Sequence, residues 1–293
     1  MKSWLDKHIK LVFCLPAILF ILVMIIIPLV YNFSMSFTDW TMSAVAKPKF
    51  IGFDNYLEVL KETRFWQATG RTVIFTLIGI VLETILGVLL AVLINRKYHG
   101  SRIVTSLMIL PVVATPVALG MAWKLILEPT IGVGNVLLTA LGFSARKFIA
   151  TTSFESMLVL ILIDVWEWTP LIMLMVYAGL KGLPDDPYEA ALIDGASRFQ
   201  MFWKITLPMA SSSILVAMLM RIIDLVKTFD IIYSTTQGGP NFATENINIY
   251  GYLNMFSYYE FGKASAISVL FFIVVMAIGC GFLYIKSKVE VEY

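Results

Sequence analysis

The sequence predicts an all-α, polytopic fold of six membrane-spanning helices with one structured cytoplasmic loop, and three observations predict it. The chain of 293 residues is 59% apolar and 14% charged, against about 45–50% and about 25% for water-soluble domains, and its mean hydropathy is +0.83. The apolar excess falls in blocks, roughly 11–31, 72–94, 103–126, 157–180, 210–232 and 264–285. Each block is about 20 residues or longer, enough at ~1.5 Å per residue to cross a ~30 Å hydrocarbon core. Between the fourth and fifth blocks, residues 184–209 carry helix caps where a plain loop would be featureless. These spans leave little chain for a separate soluble part, so residues 1–293 read as a single transmembrane domain.

The first block exceeds a typical signal h-region, and no A-x-A-like cleavage site follows over Asn32–Trp40, so it reads as a retained span. The second carries Glu83, an acid expected to pair with a basic residue in the bundle. The third holds Pro111 and Pro116, which predict a kinked helix, either static or moving. The fourth contains Asp164-Val165-Trp166-Glu167-Trp168-Thr169-Pro170. Pro170 removes a helical hydrogen bond and opens the span where protein or water satisfies the freed groups. Trp166 and Trp168 offer flat apolar faces, and Glu167 can accept from hydroxyls. The competing reading is an interfacial aromatic belt toward the outer third of the span.

The fifth block places Arg221, Asp224 and Lys227 three residues apart, with Thr228 and Asp230 extending the polar line. That spacing makes them neighbours on a helix surface, where they can pair with one another. A charge inside a span costs about 2.5–3.5 kcal/mol on insertion scales, so the line is expected to face the bundle interior or a wet cavity. A structural ion-pair network explains these charges as well as a solute pathway does. Cys14 and Cys280 fall inside the first and last blocks and read as small buried residues, ahead of a disulfide.

The Lys/Arg distribution orients the chain. Lys2, Lys7 and Lys10, then Arg96, Lys97 and Arg102, then Lys181, Arg198 and Lys204, then Lys286 and Lys288 crowd one side. The opposite, longer loops hold Lys47, Lys49, Lys61, Arg64, Arg71, Arg146, Lys147 and Lys263. The density places both termini in the cytoplasm. No basic stripe interleaves with aromatics, which argues against nucleic acid. His8 and His99 have no companion at ligand spacing, so no metal is expected. The sequence holds no G-x-x-x-x-G-K-[ST] string, no Ser/His/Asp set and no Cys/His cluster. No catalytic residue, nucleotide site or cofactor is therefore expected in this chain.

In the 184–209 loop, Asp186 reads as an N-cap, Pro187 as the first helical residue and Glu189 as a capping-box acid. Ser197 and Gln200 repeat the device, and Gly195 supplies the backbone freedom for a sharp turn. Two short helices joined at Asp194-Gly195 follow, with Leu207-Pro208 ahead of the next span. Tyr188, Ala191, Leu192, Phe199, Phe202 and Trp203 recur at helical spacing. Pattern alone leaves two uses open: a helix resting on its own bundle or on lipid headgroups, or a docking element for a cytoplasmic partner.

The string Glu189-Ala190-Ala191, with Asp194-Gly195-Ala196, Gln200 and Ile205-Thr206-Leu207-Pro208, resembles the E-A-A loop of ABC importer permeases. Independently, Phe229-Asp230-Ile231-Ile232-Tyr233 and Thr236-Gln237-Gly238-Gly239-Pro240 resemble the T-x-G-G-P stretch of the carbohydrate-uptake branch. Phe261-Gly262-Lys263-Ala264-Ser265-Ala266, entering span six, continues that second resemblance, and Leu15-Pro16, Ser36-Phe37-Thr38-Asp39-Trp40 and Gly52-Phe53-Asp54-Asn55-Tyr56 are similar to the opening of the maltose-type first permease. The chain lacks that prototype's extra spans and external insertion, and looks like the compact form of trehalose, polyol, oligosaccharide and glycerol-phosphate importers.

The resemblance implies a permease that passes a sugar, oligosaccharide or polyol across the cytoplasmic membrane on ATP hydrolysed by partners. Those partners are a second permease subunit forming a heterodimer, two copies of a cytoplasmic ABC ATPase and an extracytoplasmic solute-binding protein, all in membrane lipid. Glu189, Ala190, Ala191, Asp194 and Gly195 are the implied ATPase-coupling residues. The implied substrate pathway is Trp166, Glu167, Trp168 and Leu171 of span four with Arg221, Leu225 and Thr228 of span five, to which the charge pattern adds Asp224 and Lys227. The competing class is a self-sufficient ion-coupled transporter using Glu83, Arg221 and Asp224 as a relay. Against it stands the absence of a second E-A-A-like element or a half-to-half repeat.

Overall fold

A computed structural model of the protein describes residues 2–42, 47–95, 100–149 and 153–289, so Arg96, Lys97 and His99 lie outside the described residues. The described residues are almost wholly helical. The helices are α1 (Lys2–Met35), α2 (Asp54–Lys61), α3 (Thr63–Ile94), α4 (Ser101–Val113), α5 (Pro116–Ile126), α6 (Val133–Ala140), α7 (Ser153–Lys181) and α8 (Asp186–Ile193). They continue with α9 (Arg198–Met201), α10 (Leu207–Met209), α11 (Ser211–Val226), α12 (Asp230–Thr235), α13 (Ile247–Phe256) and α14 (Phe261–Val289).

Helices α1, α3, α7 and α14 are each long and apolar enough to cross a membrane. Two bent pairs, α4 with α5 at 97° and α9–α10 with α11 at 64°, are long and apolar enough only when taken together. The expected kink in the third block is thus a break. Pro116 starts α5, and Thr115 before it takes an extended backbone (φ −75°, ψ 134°), because the proline ring disfavours the helical region for its predecessor. Pro170, by contrast, does not open α7, which runs through it unbroken. The Thr169 hydroxyl beside it donates to the Val165 carbonyl one turn back. The fifth block is also shorter than read: α11 stops at Val226, and Asp230 begins a separate helix.

The chain divides into two units, one built on residues up to Phe65 and on Gly251–Ile273, the other on Trp66–Tyr250 and residues from Val274 onward. In the first unit, three motifs distant in sequence converge. The Asn55 amide donates to the carbonyls of Ser36 and Thr38 at 2.9 Å each, and the Ser36 and Tyr56 hydroxyls share a 2.6 Å hydrogen bond. The Phe37 ring packs against Phe33, Phe53 and Tyr56. The Gly262 N–H donates to the Trp40 carbonyl at 3.0 Å, and a side chain at Gly262 would overlap the Thr38 carbonyl. Lys263 reaches Glu58 at 2.9 Å and also Glu62, fastening the start of α14 to α2.

In the second unit, α7 is the central helix and packs on both α4 and α11. Small residues let backbones approach, as is usual where apolar helices gain nothing by hiding from an apolar solvent. Gly87 lies against Ile172, Gly79 against Leu225 and Gly179 against Ser213, each too close for a side chain without displacement. Burial follows position: 61% of the apolar window of α7 is buried within the chain, none of that of α1 and 17% of that of α14. Cys14 and Cys280 are accordingly exposed on the chain, correcting their reading as buried residues. Their helices leave apolar surface uncovered by the rest of the chain, so apolarity there does not mean core.

Candidate functional site

Helices α3, α7 and α11 each put one charged group at a common point in the second unit. The Arg221 guanidinium donates from Nε and Nη2 to the two Glu83 carboxylate oxygens at 2.7 Å each, and from Nη2 to Asp164 at 2.9 Å. All three residues are buried. The guanidinium carbon lies over the Trp168 ring, 4.9 Å from its centroid. Bidentate pairing and cation–π contact are the strong forms of both interactions. The predicted pairing of Arg221 with Asp224 along its own helix is therefore corrected. Asp224 is exposed, and partners from other helices, which can approach the guanidinium in its plane, take its place.

Beside this triad lies a cavity of about 270 Å³, lined by Pro116, Asp164, Glu167, Trp168, Arg221, Asp224, Lys227, Thr228, Phe229, Asp230 and Ile231. At ~30 Å³ per water it has room for a small hydrated solute. Glu167 sits at the midpoint of α7, fully buried, and neither carboxylate oxygen has a hydrogen-bond partner among the described residues. The rim is set by the chain after α11. The Asn248 amide donates to the Val226 carbonyl at 2.9 Å and the Asn246 amide to that of Thr228. Those asparagines follow the Thr236–Pro240 motif, whose Gly238 takes φ +84° against Ile249. Asn246 and Asn248 thus cap the end of α11, where Lys227 and Thr228 line the cavity.

A larger cavity of about 660 Å³ between α3, α4, α5 and α7 is lined by apolar residues, Trp166 among them, and by Thr169. The Thr169 hydroxyl is already given to the Val165 carbonyl, which leaves little to orient a polar solute. The chemistry lies in the smaller one.

The second region is the 184–209 loop. Helix α8 ends in a Schellman motif, with the Gly195 N–H on the Leu192 carbonyl at 3.1 Å and the Ala196 N–H on the Ala191 carbonyl at 2.9 Å. Gly195 holds φ +75°. Ser197 and Gln200 form the expected reciprocal capping box. The box expected at Asp186 and Glu189 does not form. The chain arrives already helical at Asp185 (φ −81°, ψ −24°), so no side chain is presented from the extended backbone that capping needs. Pro208 has no N–H for the Lys204 carbonyl, and the turn before it widens to a π-helical turn over Phe202–Thr206. The Tyr188 hydroxyl donates to Thr206 at 3.2 Å and ties the two arms together. Ile193 is 87% exposed and Phe199 73%, with Leu192 and Trp203 beside them.

The family model described as "Binding-protein-dependent transport system inner membrane component" matches residues 83–286. The chain belongs to that family. The match runs from Glu83 through the cavity and the loop. The permease is 36% identical over 263 residues to the trehalose/maltose transport system permease protein of Thermococcus litoralis, covering 90% of this chain and 88% of that protein. It is 30% identical over 285 residues to the sulfoquinovosyl glycerol transport system permease protein of Agrobacterium fabrum, covering 96% and 92%. Its fold matches the crystal structure of a bacterial alginate ABC transporter in complex with an alginate pentasaccharide-bound periplasmic protein. That match has a TM-score of 0.87 at 21% identity and covers 100% of this chain and 99% of that one. A permease component of a binding-protein-dependent system replaces the ion-coupled alternative.

Of the residues read as a pathway, the permease brings Glu167, Trp168, Arg221, Asp224, Lys227 and Thr228 to one cavity. It does not bring Trp166, Leu171 or Leu225. Successive helical residues turn by about 100°, so Trp166 leaves the opposite side of α7 and meets Trp123 edge to face at 5.4 Å. Leu225 is buried against Gly79. The mid-helix position of Glu167 and Trp168 also sets aside an interfacial belt, which belongs at helix ends. Asp164 was the missed residue. Its spacing to Glu167 and Trp168, i to i+3 and i+4, is the signal that puts it on their face.

Proposed function

We propose that this permease is one half of the translocation pathway of an ATP-driven importer for a sugar, oligosaccharide or polyol, acting as one transmembrane domain in the cytoplasmic membrane. A second permease subunit completes the pathway as a heterodimer, two copies of a cytoplasmic ATPase dock on the 184–209 loops, and an extracytoplasmic binding protein delivers the solute. The solute passes the cavity at Glu167, Trp168 and Thr228, where a flat ring and a carboxylate acceptor suit a sugar's C–H face and hydroxyls. The observation that carries the reading is the loop: a rigidly capped helix pair that leaves Ile193, Phe199 and Trp203 exposed. Apolar surface held out on a polar loop marks a protein interface. The names of the relatives support the solute class.

Purification of the chain from its native membrane tests this: an ATPase and a second permease are expected to come with it, and uptake to require ATP and a binding protein. Recovery of the chain alone, driving uptake from an ion gradient, overturns the reading. The Lys/Arg density supports cytoplasmic termini. A reporter active only in the cytoplasm is expected to work when fused after Lys288 and to be silent near Asn135. The reverse pattern would put the loop on the wrong side for an ATPase.

A further inference from the structure

We propose that the polar cavity admits neutral or cationic hydroxyl-bearing solutes and turns away anionic ones, and that Glu167 sets this discrimination. The inference rests on the reading of the cavity as the solute's path. Its basis is the partner each charge already has. The lining places Asp164, Glu167, Asp224 and Asp230 against Arg221 and Lys227, an acidic excess. Of the two cations, Arg221 is already matched: Glu83 and Asp164 bind its Nε and Nη2, and its guanidinium carbon lies over the Trp168 ring. Two buried carboxylates outweigh its single charge, so an anion approaching it meets no net positive partner. Lys227 is exposed on the chain, and the lining keeps more acids than cations around it.

Glu167 is in the opposite condition. It has no exposed surface and neither oxygen is hydrogen-bonded, so it is a buried acceptor lacking donors, which is costly until a donor arrives. A hydroxyl or ammonium group supplies the donor and relieves that cost. A carboxylate, phosphate or sulfonate supplies none and adds like charge in a confined, poorly screened space. The same residue thus rewards one solute class and repels the other.

The test reads the field inside the cavity without knowing the solute. In the assembled complex, with Cys14→Ser and Cys280→Ser because both native thiols are exposed, Thr228→Cys is labelled with three methanethiosulfonate reagents. One carries trimethylammonium, one a hydroxyl and one a sulfonate. Each rate is divided by that of a free thiol in solution, and a complex without Thr228→Cys corrects for partner cysteines. The cationic reagent is expected to outpace the anionic one by on the order of tenfold, the scale on which a one-signed cleft concentrates counter-ions. Glu167→Gln is expected to shrink that ratio, and Lys227→Gln to widen it.

Reaction with no preference, a preference for the sulfonate, or a ratio that Glu167→Gln does not move overturns the discrimination while leaving the pathway standing. No reaction with any reagent, in the resting, ATP-bound or vanadate-trapped complex, removes the pathway itself. Should Glu167→Gln fail to assemble, the ratio at native Glu167 and its response to Lys227→Gln still decide.

Discussion

Replacing Arg221 with methionine is expected to destabilise the assembled protein by about 3–5 kcal/mol, because it strands two carboxylates in the interior. Glu83 and Asp164 both face the guanidinium, and all three side chains are buried. Removing the cation leaves like charges close together with no water to separate them. The cost belongs to the abandoned partners more than to the lost pair. The combination Arg221→Met, Glu83→Gln and Asp164→Asn is therefore expected to regain most of the loss, since neutral amides tolerate burial that carboxylates do not. Thermal unfolding of the purified complex measures both. A single variant as stable as the native protein would mean that the three groups do not meet. The triple variant also separates scaffold from pathway: if stability returns and uptake does not, the triad does more than hold α3, α7 and α11 together.

The loop carries the other large effect. Glu189→Lys is expected to lower ATP-driven uptake by roughly 5–150-fold, the range of a typical coupling free energy between two sites. Stability is expected to stay within about 0.5 kcal/mol, as for surface substitutions generally. Glu189 is exposed, so a charge reversal there disturbs a docked partner far more than the chain itself. Gly195→Val reaches the same end by another route. A Cβ at Gly195 meets nothing within 4 Å, but the residue holds φ +75°, where a non-glycine residue costs roughly 1–2 kcal/mol. The Schellman turn then opens, and α8 and α9 lose the angle at which they are presented. Uptake and co-purification of the ATPase measure both variants. Normal values for both would separate this loop from the ATPase.

The cap signals show how far local sequence reaches. Ser197 and Gln200 form the expected box, and Gly195 the expected turn, because their partners lie within a few residues and the backbone alone decides the geometry. The Asp186 cap fails for a reason also local but not written in residue types: the chain enters α8 already helical. Pro116 and Pro170 look equivalent in the sequence. One breaks a span and the other is absorbed in α7, since tolerance depends on what surrounds the freed backbone groups.

The membrane class, the broad placement of the spans, the capped turn at Gly195 and the polar character of spans four and five are legible in the residues. These follow from hydropathy, length and short-range caps, which need no knowledge of distant contacts. Which charge meets which is set only by packing. Helical periodicity placed Asp164, Glu167 and Trp168 on one face, but not the helix that face would meet. The pairing of Arg221 with Glu83 spans 138 positions in the chain. The burial of Leu225 against Gly79, the turning away of Trp166 and the orphaned state of Glu167 have the same origin. Each is set by how α3, α7 and α11 approach one another, a result of packing summed over whole helices that no local pattern encodes.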